Sequence, residues 1–181
     1  MVSRAHEIIS HSPEETHQLA FELAGTLAPG DIISLSGNLG VGKTKFVQGL
    51  ANGLGFNEAV TSPSFTIIKE YRAAGRPGAE SFGRAGPSMA TSSMGRLDLF
   101  HYDLYRLHYV EELFDLGYEE HLYGSGVTVI EWGQKMADLL PETILEINIA
   151  FHERRDWRLF KVLAKGDRWV GAVRGWLGSR S

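Results

Sequence analysis

Asp31-Ile32-Ile33-Ser34-Leu35-Ser36-Gly37-Asn38-Leu39-Gly40-Val41-Gly42-Lys43-Thr44 is the stretch on which the fold turns. Its second half is a glycine, four residues, then glycine, lysine and a hydroxyl, which is the full phosphate-binding loop pattern. The chemistry behind the pattern is geometric. Gly37, Gly40 and Gly42 let the backbone curl with positive φ, so that successive N–H groups converge on a β-phosphate. Lys43 reaches the β and γ oxygens as a point charge, and Thr44 supplies a hydroxyl to Mg²⁺, an ion that takes only one or two protein oxygens. The first half of the stretch, apolar and preceded by Pro29-Gly30, reads as the strand that must feed such a loop. Phe46, Val47, Leu50, Ala51 and Leu54 then recur at helical spacing, with Gly55 placed to end the helix that aims its positive end at the anion.

Outward from this unit, Ser12, Pro13 and Glu15 form a helix start with a capping box, followed by Leu19, Ala20, Leu23, Ala24 and Leu27 on one face. After a Thr61-Ser62-Pro63-Ser64 turn, residues 65–71 are β-branched and aromatic and predict a strand. Residues 73–96 hold five glycines, five alanines, four serines and two prolines, and read as an excursion between paired strands. Residues 97–106 predict the returning strand, and Glu111, Glu112, Leu113, Leu116 and Gly117 a short helix. Val127-Thr128-Val129-Ile130 suits a strand buried on both faces, while residues 143–149 and 157–163 predict a hairpin across the Arg154-Arg155-Asp156 turn. The sum is an α/β fold of the P-loop NTPase-like type, one domain with a central mixed β-sheet flanked by helices.

A chain of 181 residues, 43% hydrophobic and 22% charged, is long enough for one domain with a real core. With no cysteine there is no disulfide or thiolate metal site, and the seven histidines show no metal-ligand spacing. No basic-then-apolar leader opens the chain and no apolar run approaches the ~20 residues that span a bilayer, so a cytoplasmic protein without membrane or DNA partners is expected. The net charge of −4 hides an asymmetry: residues 1–151 carry ten Lys and Arg against nineteen Asp and Glu, residues 152–181 eight against three. This basic tail, interleaved with Trp157, Trp169 and Trp176, either meets a nucleotide, RNA or an acidic partner or is a final strand and helix with solvated charges. Trp169, Val170, Val173, Trp176 and Leu177 repeat like a buried helix stripe and favour the second reading.

Phosphoryl transfer is chiefly positioning and charge stabilisation, so a triphosphate site calls for a carboxylate on the metal and a group that orients the nucleophile. Glu131 ends the 127–130 run, at the strand edge where ligands bind in open α/β sheets. Asp103 lies between Tyr102 and Leu104 on the returning strand, and position alone does not divide the two roles.

Together these motifs resemble the TsaE family (also called YjeE), small P-loop ATPases of tRNA threonylcarbamoyladenosine formation. The resemblance spans most of residues 12–165 and rests on the loop at 37–44, Ser62-Pro63-Ser64-Phe65, the run His101-Tyr102-Asp103-Leu104-Tyr105-Arg106-Leu107, Glu111-Glu112-Leu113 leading to Leu116-Gly117, and Ile130-Glu131-Trp132. It implies ATP and Mg²⁺ as ligands. Asn38, Leu39, Gly40, Val41, Gly42 and Lys43 would hold the phosphates, Thr44 and Glu131 the metal, and Asp103, with Lys43, would serve the hydrolytic step. Trp132 resembles the family's aromatic beside the nucleotide, and Thr16 and Arg155 resemble further nucleotide contacts. Their plainer alternatives are core packing, a solvated helix hydroxyl and a hairpin-tip charge. Three positions depart from the pattern: Ser64 for a threonine, Asn38 for the frequent aspartate, and the long 73–96 excursion.

The resemblance further implies an ATPase, weak alone, that serves the TsaD–TsaB complex in modifying adenosine 37 of tRNAs reading ANN codons, meeting tRNA indirectly. Two rivals carry their own marks. A small-molecule kinase would need a lid of arginines such as Arg76, Arg84 and Arg96, and a non-hydrolysing nucleotide-gated binding module would not need Asp103 for its function.

Overall fold

A computed structural model describes residues 2–73 and 97–178. The 74–96 part of the glycine-rich excursion, with the three arginines a kinase lid would use, lies outside the described residues. The elements run β1 (Ser3–Ser10), α1 (Pro13–Ala24), β2 (Ile32–Gly37), α2 (Lys43–Gly53), β3 (Ile68–Tyr71), β4 (Leu99–Asp103), a 3-10 helix (Val110–Leu116), α3 (Tyr118–Leu122), β5 (Val127–Glu131), a second 3-10 helix (Gly133–Leu139), β6 (Ile144–Phe151), β7 (Arg158–Lys165) and α4 (Asp167–Gly178). Among the described residues seven strands join one sheet in the order β1-β7-β6-β2-β5-β4-β3. The centre, β6-β2-β5-β4, is parallel, and β3, β7 and β1 attach antiparallel at the two sides. The mixed sheet follows from the connections: short turns join β6 to β7, while helices return the chain between the parallel strands.

Alternation along the strands divides the interior between the two faces of the sheet. On one face Ile33, Leu35, Leu99, Val127, Val129, Leu145, Ile147 and Phe160 pack with the buried stripes of α1, α2 and α4. On the other, Ile32, Phe100, Tyr102 and Ile130 pack with Leu113, Tyr118, Leu122 and Met136 from the 3-10 helices and α3. Helices α1 and α2 approach very closely. A Cβ at Gly49 would stand 2.2 Å from the His17 carbonyl oxygen, and one at Gly53 2.7 Å from that of Phe21, so backbone meets backbone where any side chain would wedge.

Several elements follow the sequence closely and others depart from it for local reasons. Ser12 caps α1, its Oγ accepting the Glu15 N–H at 3.1 Å, while the Glu15 carboxylate reaches back to the His11 N–H at 2.8 Å. The strand predicted from residue 65 starts only at Ile68. The N–H groups of Thr66 and Ile67 both donate to the Pro63 carbonyl, and Ile67 has φ 66°, a turn conformation that no strand accommodates. The helix predicted near 111–117 is a 3-10 turn stopped by Gly117 at φ 65°, after which α3 begins. Strand β1 has no counterpart among the elements the sequence predicts; it pairs along the whole of β7, Ser3 opposite Lys165 through Ser10 opposite Arg158.

The basic tail is β7 followed by α4, with Trp169, Val173 and Trp176 buried. Three of its basic groups are tied to the rest of the fold, Arg168 to Asp31, Lys165 to Glu146 at 2.6 Å and Arg158 to the Val41 carbonyl at 2.9 Å, while Arg154, Arg155, Lys161 and Arg174 are exposed. Among the described residues no helix is long and apolar enough to cross a membrane.

Candidate functional site

The phosphate-binding loop leaves β2 at Gly37 and enters α2 at Lys43. Gly37 has φ 133°, and a Cβ there would stand 2.1 Å from the Ile149 carbonyl oxygen of β6, so only glycine lets the loop start against the neighbouring strand. Gly40 and Gly42 have φ 75° and 109° with open space around them; there glycine serves the turn rather than a close approach. Arg158 braces the crown of the loop from β7. Its Nε donates to the Val41 carbonyl, and its Nη1 donates to the carbonyls of Arg155 and Trp157 at 2.8 and 2.7 Å.

Lys43 is 4% exposed. Its Nζ donates to the carbonyls of Gly37 and Asn38, both at 2.9 Å, and lies 3.8 Å from the centre of the Trp132 ring, a cation–π contact. Burial pushes the ammonium below the ordinary lysine value, and the carboxylates of Glu131 and Asp103 push it back up. Trp132 holds its indole there because it leaves β5 in the left-handed region, φ 62°, with its N–H on the Leu35 carbonyl at 2.8 Å.

Two carboxylates complete the site, and the sheet register brings them together: Asp103 at the C-terminal end of β4 pairs with Glu131 at the C-terminal end of β5. In a parallel pair such partners project to the same face, here the face of α2. Thr44 Oγ1 donates to Glu131, 2.8 Å from Oε1 and 3.1 Å from Oε2, and His101 Nε2 lies 2.9 Å from the same Oε1. Asp103 Oδ2 accepts from the hydroxyls of Ser62 and Ser64, the latter at 2.7 Å, and its Oδ1 accepts the Tyr105 N–H at 3.0 Å. The Ser-Pro-Ser turn is thereby tied to the end of β4.

These groups surround a cavity of about 300 Å³. Of the residues expected at the site, Leu39, Gly40, Gly42, Lys43, Thr44, Asp103, Glu131 and Trp132 line it. Asn38 and Val41 serve through their backbone in the loop. Thr16 and Arg155 are not among the lining residues: Thr16 is buried in the first turn of α1 with its hydroxyl 2.8 Å from Ser10 Oγ, and Arg155 is exposed in the β6–β7 turn. The lining adds Lys45, Ser62, Ser64 and Tyr105. The serines carried a signal in their turn sequence and in their resemblance to the family motif, but their bond to Asp103 spans 41 and 39 residues and has no local trace.

As a donor set, one threonine hydroxyl and one carboxylate beside a polyphosphate cradle fit Mg²⁺, which is held by one or two carboxylates together with phosphate oxygens rather than by a cage of protein ligands. The arrangement can hold a chain of phosphates on backbone N–H groups, Lys43 and a helix N-terminus, with two acids at its far side.

Comparison with known proteins agrees with this geometry. Residues 10–158 match the family model of the threonylcarbamoyl adenosine biosynthesis protein TsaE. The tRNA threonylcarbamoyladenosine biosynthesis protein TsaE of Treponema pallidum (strain Nichols) is 37% identical over 160 residues, covering 88% of this chain and 94% of that protein. Its counterpart from Bacillus subtilis (strain 168) is 39% identical over 138 residues, with 76% and 73% covered. A crystal structure of Bacillus subtilis YdiB superposes with a TM-score of 0.76 at 30% identity, over 100% of this chain and 99% of that one. With the family model matching residues 10–158 and a relative of that name 37% identical over 88% of the chain, the chain belongs to the TsaE family.

Proposed function

We propose that this protein binds ATP with Mg²⁺ and hydrolyses it as the ATPase required for threonylcarbamoylation of adenosine 37 in tRNAs that read ANN codons. It acts on the TsaD–TsaB complex in the cytoplasm and meets tRNA through those partners. The observation that carries the reading is the pairing of Asp103 with Glu131 at the ends of adjacent parallel strands, facing Lys43 and Thr44.

In this reading the N–H groups of residues 38–43 and the Lys43 ammonium hold the phosphates, and Lys43 exchanges its bonds to Gly37 and Asn38 for phosphate oxygens. Thr44 and Glu131 hold the metal, which supplies charge neutralisation at the phosphates. Asp103 orients the attacking water, and Trp132 flanks the nucleotide. Because Asp103 also receives Ser62 and Ser64, the turn that carries them senses the γ-phosphate, and its rearrangement passes the hydrolytic state to the partner complex. Thr16 and Arg155, which do not line the cavity, enter the reading as further nucleotide contacts on the family resemblance alone.

The test is ATP hydrolysis by the purified protein, alone and with TsaB–TsaD, for wild type, Lys43→Ala and Glu131→Ala. Slow hydrolysis that rises with the partners and is lost in both variants is the expected result. Rapid partner-independent turnover, or none in any mixture, would refute the partner-coupled ATPase. A protein whose Asp103→Ala variant loses hydrolysis yet keeps ATP affinity and supports tRNA modification would instead be a nucleotide-gated binding module.

A further inference from the structure

One buried polar side chain at the site has no part in the reading above. His101 lies in the middle of β4, fully buried, two residues before Asp103 and on the same face. Its neighbours along that face, Leu99 and Val129, belong to the apolar core, and packing alone asks for an aliphatic residue there. The imidazole instead places Nε2 2.9 Å from Glu131 Oε1, while Nδ1 is buried with no hydrogen-bond partner among the described residues. Leaving a buried ring nitrogen unpaired is costly, so the single bond to Glu131 must justify the residue. An ionised carboxylate only accepts, which fixes the tautomer: the proton is on Nε2 and His101 donates.

Glu131 Oε1 thus receives two donors from two different elements, Thr44 from the start of α2 and His101 from β4. They differ in kind. The Thr44 oxygen is itself a candidate metal ligand at the cavity wall, whereas His101 does not line the cavity and is fixed in the sheet, with only two side-chain torsions. When the threonine oxygen is lent to a cation, the imidazole bond remains to hold the carboxylate.

We propose that His101 is a positioning residue for Glu131, fixing the carboxylate from behind in the orientation that receives the divalent cation of the bound nucleotide. The inference rests on the functional reading above, in that it takes Glu131 as a metal ligand. Removal of an outer partner of a ligating group commonly costs about tenfold to a hundredfold in metal affinity.

The experiment measures the dissociation constant of ADP, which avoids turnover, in Mg²⁺ and in EDTA for the full chain. Wild type is compared with His101→Leu, His101→Asn and His101→Gln, with thermal unfolding recorded for each. Leucine removes the donor, asparagine is polar but too short to reach Glu131, and the glutamine amide can place an N–H where Nε2 stood. Affinity in EDTA should agree with wild type in all folded variants. The tightening by Mg²⁺ should fall about tenfold or more in the Leu and Asn variants and return in the Gln variant. Unchanged Mg²⁺ tightening in either non-bonding variant would overturn the proposal. So would an equal loss of affinity in EDTA, which would make His101 a structural residue of the loop, or a folded Gln variant that restores nothing. If wild-type ADP binding itself gains nothing from Mg²⁺, the functional reading fails first, a result distinct from all of these.

Discussion

Asp103 and Glu131 stand opposite each other in register, both at the C-terminal end of a buried parallel strand and both almost fully buried, yet the structure holds them in contrasting ways. Glu131 is gripped by side chains rooted in α2 and β4. Asp103 is gripped by Ser62 and Ser64, which belong to a turn outside any regular element, and that turn ends at Ile67, a β-branched residue with φ 66°. Such a residue stores backbone strain of about 1–3 kcal/mol, held only by its surroundings. Glu131 keeps its His101 partner unless the sheet itself changes. Asp103 can change partners when a turn of a few residues refolds. One acid is a fixed fitting and the other a conditional one, which is the division a metal ligand and a nucleotide-sensing group require.

The largest effects are expected at the acids themselves. Glu131→Gln should lower ATP hydrolysis by about a hundredfold or more and abolish most of the Mg²⁺ effect on nucleotide binding, whereas Asp103→Asn should lower hydrolysis by a similar factor with ADP affinity and its Mg²⁺ dependence retained. Turnover assays paired with nucleotide titrations separate the two, and equal loss of Mg²⁺ dependence in both would erase the distinction. Next in size, Arg158→Ala removes the brace on the Val41 carbonyl and should weaken nucleotide binding by about tenfold, with Mg²⁺ and EDTA affinities falling together because the loop and not the metal is affected. A loss confined to Mg²⁺ would place Arg158 with the acids instead.

Smaller effects sharpen the contrast. Ser62→Ala and Ser64→Ala each remove one bond to Asp103, worth about 0.5–1.5 kcal/mol, so each should change hydrolysis only a few-fold while the double variant changes it by more than the product of the singles. Strict additivity in steady-state kinetics would mean that the two serines do not act as one switch.

The smallest effect lies on the opposite face of the sheet, where neither acid is involved. Burial first, and Arg72 with it, hold the His121 imidazole below the ordinary histidine value of 6.5 against the pull of Glu70 and Glu120. The folded protein therefore takes up this proton at lower pH than the unfolded chain does. Its contribution to stability is present above 6.5 and is lost as the pH falls below that value. The melting temperature should decline between pH 7 and 5, at no more than about 1.4 kcal/mol per pH unit from this group, and more shallowly in His121→Asn. An identical decline in the variant would remove His121 as the cause.

The parts of this arrangement legible in the sequence were those whose cause is local. The loop, its feeding strand and its helix are written in one continuous stretch, and Glu131 stands out because it closes a strand-like run, Asp103 because it is an acid set between bulky residues of the returning strand. Strand β1 was not legible because its hydrophobic content is slight: only Ile8 packs against the main core, and the strand exists chiefly through hydrogen bonds to β7, some 150 residues away. His101 offered no metal-ligand spacing and is explained only by a contact across 30 residues of sequence. The turn at 65–67 reads as strand because β-branched residues usually are; two N–H groups that both donate to the Pro63 carbonyl override that preference.

The stacking of Lys43 on Trp132 has an optical consequence. Of the four tryptophans in the chain, Trp169 and Trp176 are enclosed in the core, Trp157 lies at the β6–β7 turn with its ring 4.2 Å from that of His11, and Trp132 alone has the site's ammonium over its face. An indole's emission responds to a cation at its surface, so the departure of Lys43 toward phosphate would alter the fluorescence of that one ring. With Trp157 replaced by phenylalanine, the protein would report the filling and emptying of its own loop in real time, without a label.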